Sequence, residues 1–326
     1  MKERLFSGIR PTGSLHIGNY LGAVKNWVDL QDKYESFFSV VDLHAITTPF
    51  NPKELPSKIK DMFCEILASG VDPEKSTLFV QSHVKEHLEL TWILSTLTNF
   101  NWLTGMIQFK EKSEQHAENV NLALFSYPTL QTADIALYKA KVVPIGEDQV
   151  QHIELARDIL RKFNYTYGDV FIEPKELITE SKRIMGLDAT NKMSKSLNNY
   201  IAITDTSEDI FKKLRPAVTD PARIRKTDAG TPEKCNVYTS FHKYFSDEET
   251  LKTVQEGCTK ATIGCIDCKK LLHKNMDQHL SPIRERYLEI KSKVSYVDEM
   301  IDFGREKAQK VASETIKSVK EVIGLW

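Results

Sequence analysis

Leu5-Phe6-Ser7-Gly8-Ile9-Arg10-Pro11-Thr12-Gly13-Ser14-Leu15-His16-Ile17-Gly18-Asn19 starts as a short apolar run, passes through a glycine-rich turn and enters a helical pattern. Ile17, Tyr20, Leu21, Val24 and Val28 share one stripe of that helix. A strand that feeds a helix through such a turn offers free backbone amides and the positive end of the helix dipole to an anion. Glycines let backbone and ligand approach closely, and His16 and Asn19 add donors for phosphate oxygens. The same stretch also reads as a plain turn leading into a capped helix, and alone it does not decide between the two.

Further along, Phe37–Val41, Thr77–Val80 and Val142–Ile145 read as buried strands. A helix lies between the first two, with Asn51 as its cap, Pro52 in its first position and Gly70 at its exit. Leu55, Ile59, Met62, Phe63, Ile66 and Leu67 form its inner face. Another helix follows over Gln149–Phe163. Strands separated by helices predict an α/β fold, a Rossmann-like parallel sheet with crossover helices. After about residue 205 the strand signals fade, and 206–282 reads as helical. Val311, Ala312, Thr315, Ile316, Val319, Val322 and Ile323 then recur at helical spacing, which predicts a long amphipathic helix packed on the body.

A chain of 326 residues, 41% hydrophobic and 27% charged, supports a large core and roughly two domains. Its apolar runs are too short to cross a bilayer, and its start turns polar at once. No signal peptide and a cytoplasmic location are therefore expected. With 44 Lys and Arg against 45 Asp and Glu, the net charge of -1 gives no support for an RNA partner.

The second chemical motif is Lys192-Met193-Ser194-Lys195-Ser196. Two lysines bracketing hydroxyl residues can fold over a polyphosphate and neutralise charge moving onto the leaving group; a solvated basic loop would look the same. Four of the five cysteines, Cys235, Cys258, Cys265 and Cys268, follow the spacing C-x22-C-x6-C-x2-C, while Cys64 stands alone in a helical stretch. Four thiolates suit either tetrahedral zinc, the commoner of the two in general, or a [4Fe–4S] cluster, and the spacing alone leaves both open.

Taken together, these motifs resemble a known family. His16-Ile17-Gly18-Asn19 is similar to the HIGH signature of class I aminoacyl-tRNA synthetases, with Asn in the last place, and 192–196 matches their KMSKS signature in full. Gly146-Glu147-Asp148-Gln149 and the helix after it resemble the tryptophanyl enzymes, and the likeness extends from residue 4 to the C-terminus.

The resemblance implies ATP-dependent activation of tryptophan, with Mg²⁺, and its transfer to tRNA(Trp) by a homodimer. It implies catalysis by His16, Asn19, Lys192 and Lys195. It places ATP at Arg10, Pro11, Thr12, Gly18, Asn19, Gly146, Glu147, Asp148, Ile184 and the 192–196 loop, with Lys112 on pyrophosphate. Tryptophan would meet Phe6, Gly8, His44, Tyr127, Gln149 and Asp134, whose carboxylate would accept the indole N–H. The family often has Met where Gln131 stands, so this wall of the pocket is more polar. The cysteine spacing resembles a subset carrying a [4Fe–4S] cluster, with Zn²⁺ the alternative. The expected layout is a catalytic domain over 1–205, completed by a C-terminal helix at 283–326, and a helical tRNA anticodon-binding domain over 206–282. Tyrosyl enzymes carry the same signatures; Asp134 and the 146–158 block argue against that reading.

Overall fold

The computed structural model describes residues 2–109, 120–178, 184–195 and 197–325, so Lys112 and Ser196 lie outside it. Packing divides the chain into two compact units. One comprises Met1–Thr12, Ala23–Ser181 and Lys293–Trp326, and the other Gly13–Gly22 and Lys182–Ser292.

The first unit is built on five parallel strands, β1 (Arg4–Ile9), β2 (Glu35–Val40), β3 (Thr77–Val80), β4 (Val142–Ile145) and β5 (Lys175–Ile178). Their order is β3-β2-β1-β4-β5. The chain winds outward from β1 to β3, then crosses back to lay β4 on the other side of β1. That reversal opens a crevice at the carboxyl ends of the strands, where ligands bind in folds of this type. The inner strands, β2 most completely, are buried on both faces, as parallel sheets require. On one face Phe37 stacks on Tyr138 with centroids 4.5 Å apart, and on the other its neighbour Phe38 stacks on Trp27 at 4.6 Å.

The Val294–Ile323 helix packs on β3, as its apolar stripe predicts. Gly304 permits the approach: a Cβ there would lie 1.7 Å from the Leu78 carbonyl oxygen.

Four strands stand where the sequence places them. The fifth, β5, went unread because it is an edge strand whose side chains are exposed or half-buried, with no apolar run. The helix expected from Asn51 instead begins at Leu55 and ends at Ala68, with Pro56 in its first turn. Asn51 caps only a preceding turn, accepting from the Lys53 amide at 3.0 Å and donating to Glu54 at 2.7 Å. The apolar stripe, starting at Leu55, sets the true boundary.

The second unit is mainly helical, with Ser207–Leu214, Glu248–Thr259 and the 28-residue Cys265–Ser292 as its main helices. Ile210, Leu214, Phe241, Val254, Leu272, Met276 and Leu280 fill its core. Among the described residues no helix is long and apolar enough to cross a membrane.

Candidate functional site

Both signature motifs belong to the second unit. His16 is the N-cap of the helical segment that starts at Ile17, and its Nδ1 accepts the Asn19 amide at 3.2 Å. The proton of the ring therefore sits on Nε2, ready to donate. Burial, reinforced by the charges of Lys195 and Lys192, lowers the His16 pKa to about 4, so the ring is neutral at pH 7. The segment before the helix is fixed by main-chain bonds to 201–203: Ile17 N–H to the Ile201 carbonyl at 3.0 Å and Ile203 N–H to the Leu15 carbonyl at 2.9 Å.

The lysine loop folds against this start. Lys195 Nζ donates to the Gly13 carbonyl at 2.6 Å, and Gly13 holds a φ of +135° that favours glycine. Met185 and Lys192 pair antiparallel, and the Met193 amide donates to the Ile184 carbonyl at 3.1 Å. Asn199 staples the loop, accepting from the Ser194 amide at 2.7 Å and donating to Asp188 at 3.1 Å. Gly186 makes room for this, since a Cβ there would lie 2.1 Å from Asn199 Nδ2. The two motifs, far apart in the sequence, thus meet in space. Met193 and Ile184 are buried, whereas Lys192 is exposed.

The expected tryptophan residues and Arg10, Pro11 and Thr12 lie in the first unit. Asp134, in the Leu122–Leu137 helix, is fully enclosed. Its Oδ2 lies 2.7 Å from His44 Nε2, and its Oδ1 takes Gln81 Nε2 at 2.7 Å and His87 Nδ1 at 2.6 Å. Burial alone would push its pKa up, but His44 and His87 outweigh it and hold Asp134 at about 2. At neutral pH it is a carboxylate and an acceptor. His44 follows β2 and Gln81 follows β3, so both belong to the carboxyl edge of the sheet.

Tyr127 is buried with its hydroxyl 2.8 Å from His152 Nε2. Phe6 lies in the core, stacked on Tyr138 at 5.8 Å. A Cβ on Gly8 would meet Val41 Cγ1 at 2.7 Å. Gly146 to Gln149 form the turn after β4; Glu147 and Asp148 are exposed, Gly146, Gln149 and Gln131 half-buried. Acidic residues here also suit the helix that follows.

Sequence reading missed Gln81, His87, Tyr138 and His152. Only Gln81 carried a signal, as a polar residue directly after a predicted strand.

The four clustered cysteines lie in the second unit as free thiols, Cys235 buried and the others half-buried. Among the described residues no three His, Cys, Asp or Glu side chains form a group that could hold a metal ion. Burial, then the nearby Cys235, Cys258 and Cys265, push the Cys268 thiol up to about 12. Arg223 Nη1 donates to Cys258 Sγ at 3.5 Å, and His242 Nε2 lies 3.3 Å from Cys268 Sγ.

A parallel sheet with a reversed strand order, a histidine-capped helix start and a lysine loop tied to it define a nucleotide-handling α/β protein. The chain belongs to the family described as tRNA synthetases class I (W and Y), whose model matches residues 2–281. It is 49% identical to the tryptophan–tRNA ligase of Deinococcus radiodurans over 99% of this chain and 98% of that one. It is 45% identical to the tryptophan–tRNA ligase of Thermotoga maritima over 99% of both chains. Among solved structures it resembles tryptophanyl-tRNA synthetase from Campylobacter jejuni complexed with ADP and tryptophan, at a TM-score of 0.90 and 37% identity, covering 99% of this chain and 100% of that one.

Proposed function

We infer that this protein activates L-tryptophan with ATP to tryptophanyl-adenylate and transfers the tryptophanyl group to tRNA(Trp), releasing pyrophosphate and AMP, in the cytoplasm. The observation that carries the reaction type is the Lys195 tie to Gly13 beside the His16 cap, which gathers neutral and cationic donors in one unit.

The chemistry asks for those groups. The tryptophan carboxylate attacks the α-phosphate in line and the bond to pyrophosphate breaks, so negative charge builds on the phosphoryl oxygens and the leaving group. His16 Nε2–H and Asn19 donate to phosphate oxygens, while Lys192 and Lys195 neutralise the leaving group. Mg²⁺ accompanies ATP and supplies further charge. Arg10, Pro11, Thr12, Gly18, Met193, Ser194 and Ile184 contribute to the nucleotide site, and Gly146, Glu147 and Asp148 face its ribose. No side-chain nucleophile is needed.

Asp134 accepts the indole N–H, with Phe6, Gly8, His44, Tyr127 and Gln149 lining or flanking the amino acid. Phenylalanine has no donor to offer and would leave a buried carboxylate short of a partner.

Residues 206–282 bind the tRNA anticodon region, and 1–205 with 283–326 form the catalytic domain. A homodimer is supported by exposed apolar side chains, Leu88, Trp92, Phe100 and Leu122, on helices that pack together. The spacing of Cys235, Cys258, Cys265 and Cys268 is what supports a [4Fe–4S] cluster, with Zn²⁺ the alternative. Cys235, Cys258 and Cys265 lie near enough to Cys268 to raise its pKa, although among the described residues no group is arranged to hold a metal ion. Held there, a cluster would cross-link the helical unit and shape its tRNA-facing surface.

ATP–pyrophosphate exchange without tRNA tests the reading, with tryptophan, tyrosine and phenylalanine as substrates. Exchange with tryptophan alone is expected. Exchange with tyrosine would overturn the assignment of Asp134, and none with any of the three would overturn the function.

A further inference from the structure

An ionised carboxylate has about four lone-pair positions. In Asp134 three are taken, two on Oδ1 by Gln81 and His87 and one on Oδ2 by His44. These bonds leave one position on Oδ2. The donors are themselves held in orientation. Gln81 Oε1 accepts the Leu43 amide at 3.1 Å, so its amide nitrogen must face Asp134. His87 Nε2 lies 2.8 Å from the Tyr138 hydroxyl. Tyr138 is enclosed, and burial, followed by the charge of Asp134, raises its pKa well above the usual value. It keeps its proton and donates a hydrogen bond to Nε2, and the His87 Nδ1–H donates to Asp134 Oδ1. None of Gln81, His87 and Tyr138 is needed for the adenylation chemistry, yet each is fully enclosed and bonded in this chain of donors.

We propose that His87, oriented by Tyr138, is a positioning residue for substrate selection: with Gln81 it saturates Asp134 Oδ1, so the carboxylate cannot turn and offers a ring N–H the single acceptor left on Oδ2. The proposal rests on the reading of Asp134 as the indole acceptor. A carboxylate lacking the His87 bond has two open acceptors. It can turn toward either, and it loses its preference for one donor in one place.

The probe pair is L-tryptophan and L-β-(benzothiophen-3-yl)alanine, in which sulfur replaces the N–H. Pyrophosphate exchange is measured with each on wild type, His87→Leu, His87→Asn and Asp134→Asn. The His87→Leu variant is expected to raise KM for tryptophan about tenfold, with KM for ATP unchanged, and to reduce the preference for tryptophan over the sulfur analogue about tenfold. The His87→Asn variant, whose Nδ2 can stand in for ring Nδ1, should recover most of both. A merely structural role would lower thermal stability in both variants and leave the preference alone. Wild-type preference in folded His87→Leu, or no recovery in His87→Asn, overturns the proposal. If His87→Leu does not fold, Gln81→Leu removes the other Oδ1 donor and is read in the same way. Loss of the preference in Asp134→Asn but not in the His87 or Gln81 variants sinks the proposal while sparing the indole reading; retention in Asp134→Asn sinks both.

Discussion

Replacing His16 with Asn separates two properties of the ring, its cap and its proton. Asn is a good N-cap and does not titrate, so the Asn19 amide keeps an acceptor while the Nε2 donor is lost. In the wild type the His16 pKa falls from 6.5 to about 4, because burial and then Lys195 and Lys192 oppose the charged ring. A group whose folded pKa lies below its unfolded value contributes stability that is fully present above the unfolded value and is lost as pH falls through the folded one. The window here runs from pH 6.5 down to about 4. At pH 5 the unfolded chain has taken up the proton and the folded chain has not. Roughly 1.5 units of pH at about 1.4 kcal/mol each make this a loss of about 2 kcal/mol relative to pH 7. His16→Asn should escape that loss. Urea unfolding at pH 7 and pH 5 measures it: the wild type should lose about 2 kcal/mol more than the variant on going to pH 5. At pH 7 the variant's pyrophosphate exchange should be about a hundredfold or more slower, the cost of one lost transition-state donor. Parallel unfolding of the two proteins at both pH values would refute the argument for a buried neutral ring. Undiminished exchange would refute its role as donor.

Three further perturbations test other links. Lys195→Ala removes the bond to the Gly13 carbonyl and one of the charges holding the His16 pKa down. Exchange should fall about a hundredfold and the His16 NMR titration should move toward higher pH; an unmoved titration would show that the loop does not act on the ring. Gly304→Ala puts a methyl group 1.7 Å from the Leu78 carbonyl oxygen. The helix must shift, costing about 3 kcal/mol, and a melting temperature equal to the wild type would show that this contact is not maintained. Single Cys→Ser changes at Cys235, Cys258, Cys265 and Cys268 should each lower the iron and sulfide content of anaerobically purified protein and weaken tRNA charging. Zinc without sulfide in the wild type would favour the alternative metal, and four variants with unchanged fold and charging would remove any role for the site.

The parts of this protein that were legible in its sequence are those whose chemistry is contiguous. The His16 cap needs only the residues from Gly13 to Asn19, and the lysine loop only its own stretch, so each showed as a motif before any fold was known. β1 to β4 were legible because each carries a buried apolar pair or triplet, such as Leu5-Phe6, Phe37-Phe38 and Leu78-Phe79-Val80, whereas β5 borders solvent and carries Lys175 and Glu176. The Asp134 site is of another kind. Its donors come from the turn after β2, the turn after β3 and the Glu86–Ser95 helix, and no spacing rule links His44, Gln81 and His87 along the chain. The sheet links them: β2 and β3 are neighbours in register, so the residues leaving their carboxyl ends must converge. His44 and Gln81, two of the three donors, are therefore inferable once the strand order is known, from the rule that polar residues at those ends serve the crevice. His87 is not, because its place depends on how one helix packs against another.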